Sequence, residues 1–211
     1  MKTALFDLDN TLYAPEHNLF ALIDVRINRY MCEVVKIAPE RVDGLRRDYW
    51  KHYGATLQGL IRHHRVDAED YLDYVHDVDV DRHLKADPEL GVALGQLPLR
   101  RCIFTNGSRA HAERVLKALH LENLFDEIFD IRIANYQPKP NFEPYQGVLR
   151  KLNQPAHDCI MIEDSGENLK TARALGMKTM LVGDQTPCPH ADHQAPDACH
   201  GIKTITALLN P

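Results

Sequence analysis

The sequence predicts an α/β fold: a doubly wound parallel sheet with an inserted α-helical segment. From Lys85 onward, short apolar runs alternate with segments of helical periodicity, as in parallel sheets covered by helices. From about residue 14 to 85, strand-like runs are missing and helix formers dominate. We therefore expect an α/β core of residues 1–13 and 86–211, and a helical segment of residues 14–85.

Each predicted strand is a short apolar run that ends at polar residues. The predicted strands are Lys2–Phe6, Arg101–Phe104, Ile128–Ile133, Cys159–Ile162 and Thr179–Val182. Ile128–Ile133 has the weakest strand pattern, and Thr179–Val182 is expected to be the last strand of the core. Ser108 should cap one helix, and Gly176 should end another. The helix after Pro140 should bury one stripe, formed by Phe142, Tyr145, Val148, Leu149 and Leu152.

Composition excludes several classes of function. The 211 residues suffice for one core plus a small accessory unit, and 44% apolar with 26% charged residues is ordinary for a globular protein. The net charge of −5 gives no basic surface for nucleic acid, and no apolar run is long enough to span a membrane. Five scattered cysteines argue against a disulfide framework, so we expect a reducing, cytoplasmic setting.

Reactive groups follow four predicted strand ends or loops. They are Asp7 and Asp9, Thr105-Asn106, Lys139, and Glu163-Asp164. Each has a plain structural explanation, such as a turn, a helix cap or a solvated loop. In a parallel sheet, however, these positions meet at one edge, where ligands bind. Two crowded carboxylates also repel each other unless a cation lies between them or one keeps its proton. The order and placement together favour one shared site.

These groups are the parts of a phosphoryl-transfer site. An aspartate can attack phosphorus and form an aspartyl-phosphate, while a second carboxylate protonates the leaving oxygen and later activates water. A lysine and a hydroxyl can hold the phosphate oxygens. Mg²⁺ bound by carboxylates would offset the negative charge.

The ordered motifs resemble those of the haloacid dehalogenase superfamily across essentially the whole chain. The motifs are Asp7-x-Asp9-x-Thr11, Thr105-Asn106, Lys139-Pro140 and Glu163-Asp164-Ser165-x-x-Asn168. The resemblance implies Asp7 as nucleophile, Asp9 as general acid and base, and Thr105 and Lys139 as phosphate ligands. It also implies Mg²⁺ held by Asp7, Asp164 and the backbone carbonyl of Asp9, and a small helical cap formed by the inserted segment.

Two details of the motifs bear on the reaction. Dehalogenase members generally lack the second aspartate, because halide displacement needs no leaving-group proton, so Asp9 favours a phosphatase. Glu163 departs from the Asp or Gly of many members. Its longer side chain would either reach waters on the metal or brace neighbouring ligands.

The helical segment has a narrower resemblance to pyrimidine 5′-nucleotidases. It lies in Tyr53-Gly54-Ala55-Thr56-Leu57-Gln58-Gly59-Leu60, then His63-His64 and Asp70-Tyr71. Glycines 54 and 59 would let backbone approach a ligand closely, and Tyr53, His63 or His64 would stack on or hydrogen-bond a base. Equally, these side chains would serve as core, helix ends or surface. The candidate substrate-binding residues are Thr105, Asn106, Lys139, Tyr53, Gly54, His63 and His64.

The sequence thus predicts a Mg²⁺-dependent phosphomonoesterase acting on small phosphorylated metabolites, with pyrimidine nucleoside monophosphates such as UMP and CMP as leading candidates. A sugar-phosphate phosphatase, a phosphomutase, and a non-catalytic phosphate-binding protein are the alternatives. We expect a small-molecule substrate, no nucleic-acid polymer and no membrane partner, and either a monomer or a homodimer.

Possible zinc ligands gather near the C-terminus. They are Cys188, His190, His193, Cys199 and His200. Cysteine and histidine suit zinc, but the spacing matches no regular finger and three prolines interrupt it. A plain surface loop is the simpler interpretation.

Overall fold

The structure is a computed structural model that describes residues 1–183 and 186–209. Residues 184, 185, 210 and 211 of the predicted core range lie outside this description. The described chain has six strands, which are β1 (Thr3–Phe6), β2 (Arg100–Phe104), β3 (Glu127–Phe129), β4 (Cys159–Glu163), β5 (Lys178–Val182) and β6 (His193–Ala195). They form one parallel sheet in the order β3-β2-β1-β4-β5-β6.

The doubly wound sheet confirms the predicted fold class. Strand β1 lies between β2 and β4, and Phe6 is in register with Ile103 and with Ile162. The residues that follow these three strands therefore meet at one edge.

Helices cover both faces of the sheet. The helices are α1 (Leu19–Glu33), α2 (Pro39–Tyr53), α3 (Thr56–His64), α4 (Ala68–His76), α5 (Val80–His83), α6 (Pro88–Gln96), α7 (Arg109–Ala118), α8 (Phe142–Leu152), α9 (Gly166–Ala174) and α10 (Ala198–Leu209). Because side chains alternate along β1, Ala4 and Phe6 pack with α6, α7 and α10, whereas Leu5 packs with α8 and α9. Along the described chain, no helix is long and apolar enough to cross a membrane.

The helical segment has a hydrophobic core of its own, from Ile23 to Val75, which Ile131 joins. The ends of the segment pack elsewhere, since Leu19 and Val80 belong to the core of the sheet. The exact division at residues 14 and 85 remains a prediction.

Three local expectations are corrected. The strand predicted for Ile128–Ile133 ends at Phe129, because the Asp130 carboxylate accepts the N–H groups of Arg109 and Arg132 and starts a 3₁₀ turn at Ile131–Ala134. The strand predicted at Thr179–Val182 is not the last one, since β6 follows it and pairs with β5. Phe142 is the first residue of α8 and is 48% exposed, so it does not belong to the buried stripe.

Candidate active site

Lys139 lies at the centre of a buried group of charges at the carboxyl edge of the sheet. Its Nζ donates to Asp7 Oδ1 at 2.7 Å, to Glu163 Oε1 at 2.7 Å and to the Phe104 carbonyl at 2.8 Å. Three acceptors use all three ammonium protons. Burial alone lowers the pKa of Lys139, but the two carboxylates outweigh it and raise that pKa, so the side chain stays charged. We call Asp7, Lys139, Glu163 and Asp164 the lysine cluster.

Glu163 holds Lys139, which answers the question that the sequence left open about this residue. The side chain is fully buried. Oε1 accepts Lys139 Nζ and the Asn168 amide at 2.6 Å, and Oε2 accepts the Ser165 backbone N–H at 2.9 Å. Both oxygens of Glu163 are therefore engaged by the protein.

Asp7 and Asp164 are the carboxylates of this cluster whose pKa values are raised most. Burial and the charge of Glu163 raise the pKa of Asp7 to about 7, although Lys139 opposes the shift. Burial and the charge of Asp7 raise the pKa of Asp164 to about 8. Oxygens of Asp7, Glu163 and Asp164 lie within 4.8 Å of one another, and no other such group of His, Cys, Asp or Glu occurs in the described chain. Carboxylate oxygens at this spacing suit Mg²⁺.

The predicted residues Thr105 and Asn106 lie beside this cluster. The Thr105 hydroxyl is buried and accepts the Gly107 N–H at 2.9 Å, which leaves its own proton to donate. The Asn106 amide accepts Lys139 N–H at 2.7 Å and donates to the Lys139 carbonyl at 3.0 Å. Asn106 thus fixes the backbone that carries the lysine.

Asp9 has a separate set of partners. Its Oδ1 accepts the Tyr13 hydroxyl at 2.6 Å and faces His111 Nε2 at 2.8 Å. The His111 ring stacks on His76 with centroids 4.6 Å apart. Burial alone raises the pKa of Asp9, but His111 and the hydrogen bond from Tyr13 outweigh it and lower that pKa. We call Asp9, Tyr13, His76 and His111 the histidine cluster.

Sequence reasoning missed Tyr13, His76 and His111. His111 follows the Ser108 cap on the inward face of α7 beside Ala112, where a histidine has the pattern of a core residue. A faint signal existed, because the Thr105–Ser108 turn places the start of α7 next to the sheet edge. His76 is the last residue of α4, and no sequence pattern connects it with that edge.

The predicted base-binding residues form an aromatic cluster on the helical segment. Tyr53 Oη lies 2.7 Å from His63 Nε2, Tyr49 Oη lies 2.9 Å from His64 Nε2, and the His63 ring stacks on Tyr49. Both hydroxyls and both Nε2 atoms are therefore bonded within the segment. The Tyr53 ring face is one part that could contact a ligand.

The two glycines of this region lie against protein atoms. A Cβ on Gly59 would lie 2.1 Å from Tyr49 Cγ, so the ring requires a glycine there. Gly54 has a φ of +81°, and a Cβ on it would lie 3.2 Å from Pro138 Cγ. Gly54 therefore brings the helical segment against the loop that carries Lys139.

The C-terminal cysteines and histidines do not gather into a ligand set among the described residues. His200 instead bonds to the Asp197 carboxylate at 2.8 Å. Cys188 approaches Gly166 at the start of α9.

Comparison with known proteins decides the family. The profile of the haloacid dehalogenase-like hydrolases matches residues 1–176. The chain belongs to this family. The match confirms the resemblance carried by the four motifs, and it covers both the lysine cluster and the histidine cluster.

Several known proteins resemble this chain in sequence or in structure. Phosphate metabolism protein 8 of Saccharomyces cerevisiae is 27% identical over 194 residues, which are 83% of this chain and 60% of that protein. CbbY of Rhodobacter sphaeroides in complex with phosphate has a TM-score of 0.66 at 17% identity, covering 94% and 95% of the two chains. Magnesium-bound YfnB of Bacillus subtilis has a TM-score of 0.63 at 17% identity, covering 100% and 99%. The structural likenesses establish the fold.

Proposed function

We propose that this protein is a Mg²⁺-dependent phosphomonoesterase that works through an aspartyl-phosphate on Asp7. The observation that carries the proposal is the placement of Asp7, with Lys139 Nζ 2.7 Å from one oxygen and the Thr11 hydroxyl 3.2 Å from the other. A phosphoryl group transferred to Asp7 would stay beside a buried cation. Both phosphate-bound CbbY and the yeast relative's name agree with a phosphate substrate.

Each further role follows from a group already described. Asp7 attacks phosphorus, the Thr105 hydroxyl donates to a phosphoryl oxygen, and the Lys139 ammonium beside Asp7 supplies positive charge to the phosphoryl group. Asp9 gives a proton to the leaving oxygen and later takes one from the attacking water. Asp7 and Asp164 would hold Mg²⁺, because Glu163 is occupied by Lys139 and Asn168. When bound, the ion supplies positive charge to the phosphoryl oxygens.

For the substrate we propose pyrimidine nucleoside 5′-monophosphates. The support is the Tyr49, Tyr53 and His63 rings, together with the position of Gly54 against Pro138, the residue before Lys139. Stacking on an aromatic face contributes about 1–3 kcal/mol per base and tolerates different bases. The proposed preference therefore concerns nucleotides over sugar phosphates more than one base over another.

The test is phosphate release from a panel of nucleoside monophosphates, sugar phosphates and cofactor phosphates, with Mg²⁺ or with EDTA. We expect Mg²⁺-dependent release, fastest with UMP or CMP, and none from Asp7→Asn. Asp73→Asn, at an exposed position of the helical segment, is the matched control and should behave as wild type.

Other outcomes separate the alternatives. Fastest release from a sugar phosphate would discard the nucleotide proposal and keep Asp7 as nucleophile. Turnover that needs a bisphosphorylated activator and releases little phosphate would indicate a phosphomutase. Thermal stabilisation by nucleotides without any release would indicate a phosphate-binding protein.

A further inference from the structure

His111 is a buried histidine that none of the proposed catalytic roles uses. It lies in the first turn of α7, and its side chain has no exposed surface. Its Nε2 lies 2.8 Å from Oδ1 of Asp9, although the two residues are 102 positions apart in the sequence. A buried polar ring that reaches the general acid calls for a chemical explanation.

Both protein partners of the Asp9 carboxylate lie on the same oxygen. Oδ1 is contacted by His111 Nε2 and by the Tyr13 hydroxyl at 2.6 Å. No donor in the described chain bonds Oδ2, and Oδ2 is not among the buried unpartnered atoms. Oδ2 is thus the oxygen open to the site, and 13% of the side chain remains exposed.

Packing around His111 fixes its backbone and its ring. The backbone N–H of His111 donates to Ser108 Oγ at 3.3 Å, and the His76 ring stacks on it at an angle of 16°. The Ser108 hydroxyl also contacts His76 Nδ1 at 3.2 Å. His111 Nδ1 is buried without a partner, so a proton there would be an unsatisfied donor. This places the ring proton on Nε2, where Asp9 accepts it.

We propose that His111 is a positioning residue that, through its Nε2–H, fixes Oδ1 of Asp9 so that Oδ2 carries the proton for the leaving group. This inference rests on the proposed function. As an Asp7 oxygen bonds to phosphorus, the bond from phosphorus to the ester oxygen breaks and that oxygen takes the Oδ2 proton. His111 keeps its own proton throughout. Asp9 is left as a carboxylate. In the second step water attacks phosphorus, the bond from phosphorus to Asp7 breaks, and Oδ2 of Asp9 takes the water proton that it gives to the next ester.

Esters with different leaving groups test this role. UMP, or the best alkyl ester of the panel, needs its leaving alkoxide protonated, whereas 4-nitrophenyl phosphate releases a phenolate that needs little protonation. Because kcat/KM reports the phosphorylation step, we expect His111→Ala to lower it about 10²-fold for the alkyl ester, the low end for general acid catalysis. The aryl ester should lose less than about fivefold.

Two variants separate the hydrogen bond from the packing. His111→Gln offers an N–H near the position of Nε2 and should recover part of the alkyl-ester activity. His76→Asn removes the stacked ring but keeps the Nε2–H donor of His111, so it should lower the alkyl-ester activity less than His111→Ala does. Equal losses on both esters in His111→Ala, or no loss on either, would overturn the inference.

A spectroscopic readout judges the hydrogen bond without turnover. Long-range ¹H–¹⁵N spectra of histidine-labelled wild-type protein should show His111 as the Nε2–H tautomer, with assignment by the signal lost in His111→Gln. A proton on Nδ1 would overturn the inference even in an active phosphatase. Failure of wild type to hydrolyse either ester would overturn the proposed function, and the catalytic part of this inference with it.

Discussion

The two aspartates of the first motif lie two positions apart, yet the molecule surrounds them with different kinds of groups. Asp7 lies in the lysine cluster, where a cation is shared with Glu163 and Asp164 lies beside it. Asp9 lies in the histidine cluster, where a tyrosine and a histidine donate to one oxygen. The first arrangement places a buried cation beside the carboxylate that would accept a phosphoryl group. The second suits a carboxylate that must be held in one orientation.

Removing the nucleophile should have the largest effect. Asp7→Asn keeps the shape of the side chain but removes the attacking oxygen, so phosphate release should fall at least about 10⁴-fold on every ester. Asp9→Asn is the informative partner variant, and it should retain more activity on 4-nitrophenyl phosphate than on UMP. Steady-state kinetics on both esters provide the measurement. If Asp7→Asn keeps near-normal rates, Asp7 is not the nucleophile.

Removing the Lys139 ammonium should lower both the activity and the stability. Lys139→Met leaves Asp7 and Glu163 buried without their partner, so the free energy of unfolding should fall by about 3–5 kcal/mol. Turnover should fall about 10²–10³-fold. Adding Glu163→Gln should recover part of the stability, because one unpaired carboxylate is removed.

Lys170→Met is the matched control for urea unfolding of the lysine variant. The Lys170 side chain is 58% exposed and pairs with Glu167 at 3.6 Å. Removing the Lys170 ammonium should change the free energy of unfolding by less than about 0.5 kcal/mol. Equal stability of the two lysine variants would contradict the buried ion-pair description.

The lysine cluster was largely predictable from sequence, and the histidine cluster was not. Asp7, Lys139 and Asp164 follow apolar strands or lie in a marked loop, and parallel topology alone brings strand ends together. Tyr13 lies near Asp9 in the sequence, but no motif marks it as a partner. His111 meets Asp9 through the angle at which helix α7 packs, and that angle is set by tertiary contacts that have no local periodicity.

The same limit explains the errors in the fold. Strand β6 has three residues, His193–Ala195, in a stretch rich in proline and histidine, and only pairing with β5 makes it a strand. Asp130 stops β3 through side-chain bonds to two backbone N–H groups, one of them on α7. Apolar runs locate strands well, but long-range partners decide where they end.

Magnesium should stabilise the protein more at high pH than at low pH. The pKa values of Asp7 and Asp164, about 7 and about 8, lie above their ordinary value of 3.8. The metal-free folded state therefore holds these protons more tightly than the unfolded chain, and its stability falls as pH rises from about 4 to about 8. Mg²⁺ competes with the same protons.

Urea unfolding with Mg²⁺ or EDTA measures this dependence. At pH 8.5, an excess of Mg²⁺ should add about 1–3 kcal/mol to the free energy of unfolding, and at pH 5.5 much less. Asp164→Asn should lose most of the increment at the higher pH. An increment that is the same at both pH values would contradict a metal site made of these two carboxylates.

The histidine cluster should respond to acid in the opposite direction. Burial and the nearby His111 lower the pKa of His76 to about 3, with Arg114 adding to the shift and Asp9 opposing it. The folded state therefore binds this proton less tightly than the unfolded chain, and stability is lost as pH falls from about 6.5 towards 3. Between pH 7.5 and pH 5 the loss from this group should be about 2 kcal/mol.

Comparing wild type with His76→Asn isolates this smaller effect. Asparagine does not titrate, whereas the opposite contributions of Asp7 and Asp164 are common to both proteins and cancel in the difference. The variant should therefore lose about 2 kcal/mol less than wild type when the pH is lowered from 7.5 to 5. His157→Asn, at an exposed position, is the matched control and should lose as much free energy of unfolding as wild type over this pH range. If wild type and His76→Asn lost the same free energy of unfolding between pH 7.5 and pH 5, His76 would take up its proton in the folded state. The stacked pair of histidines would then not exclude positive charge beside Asp9.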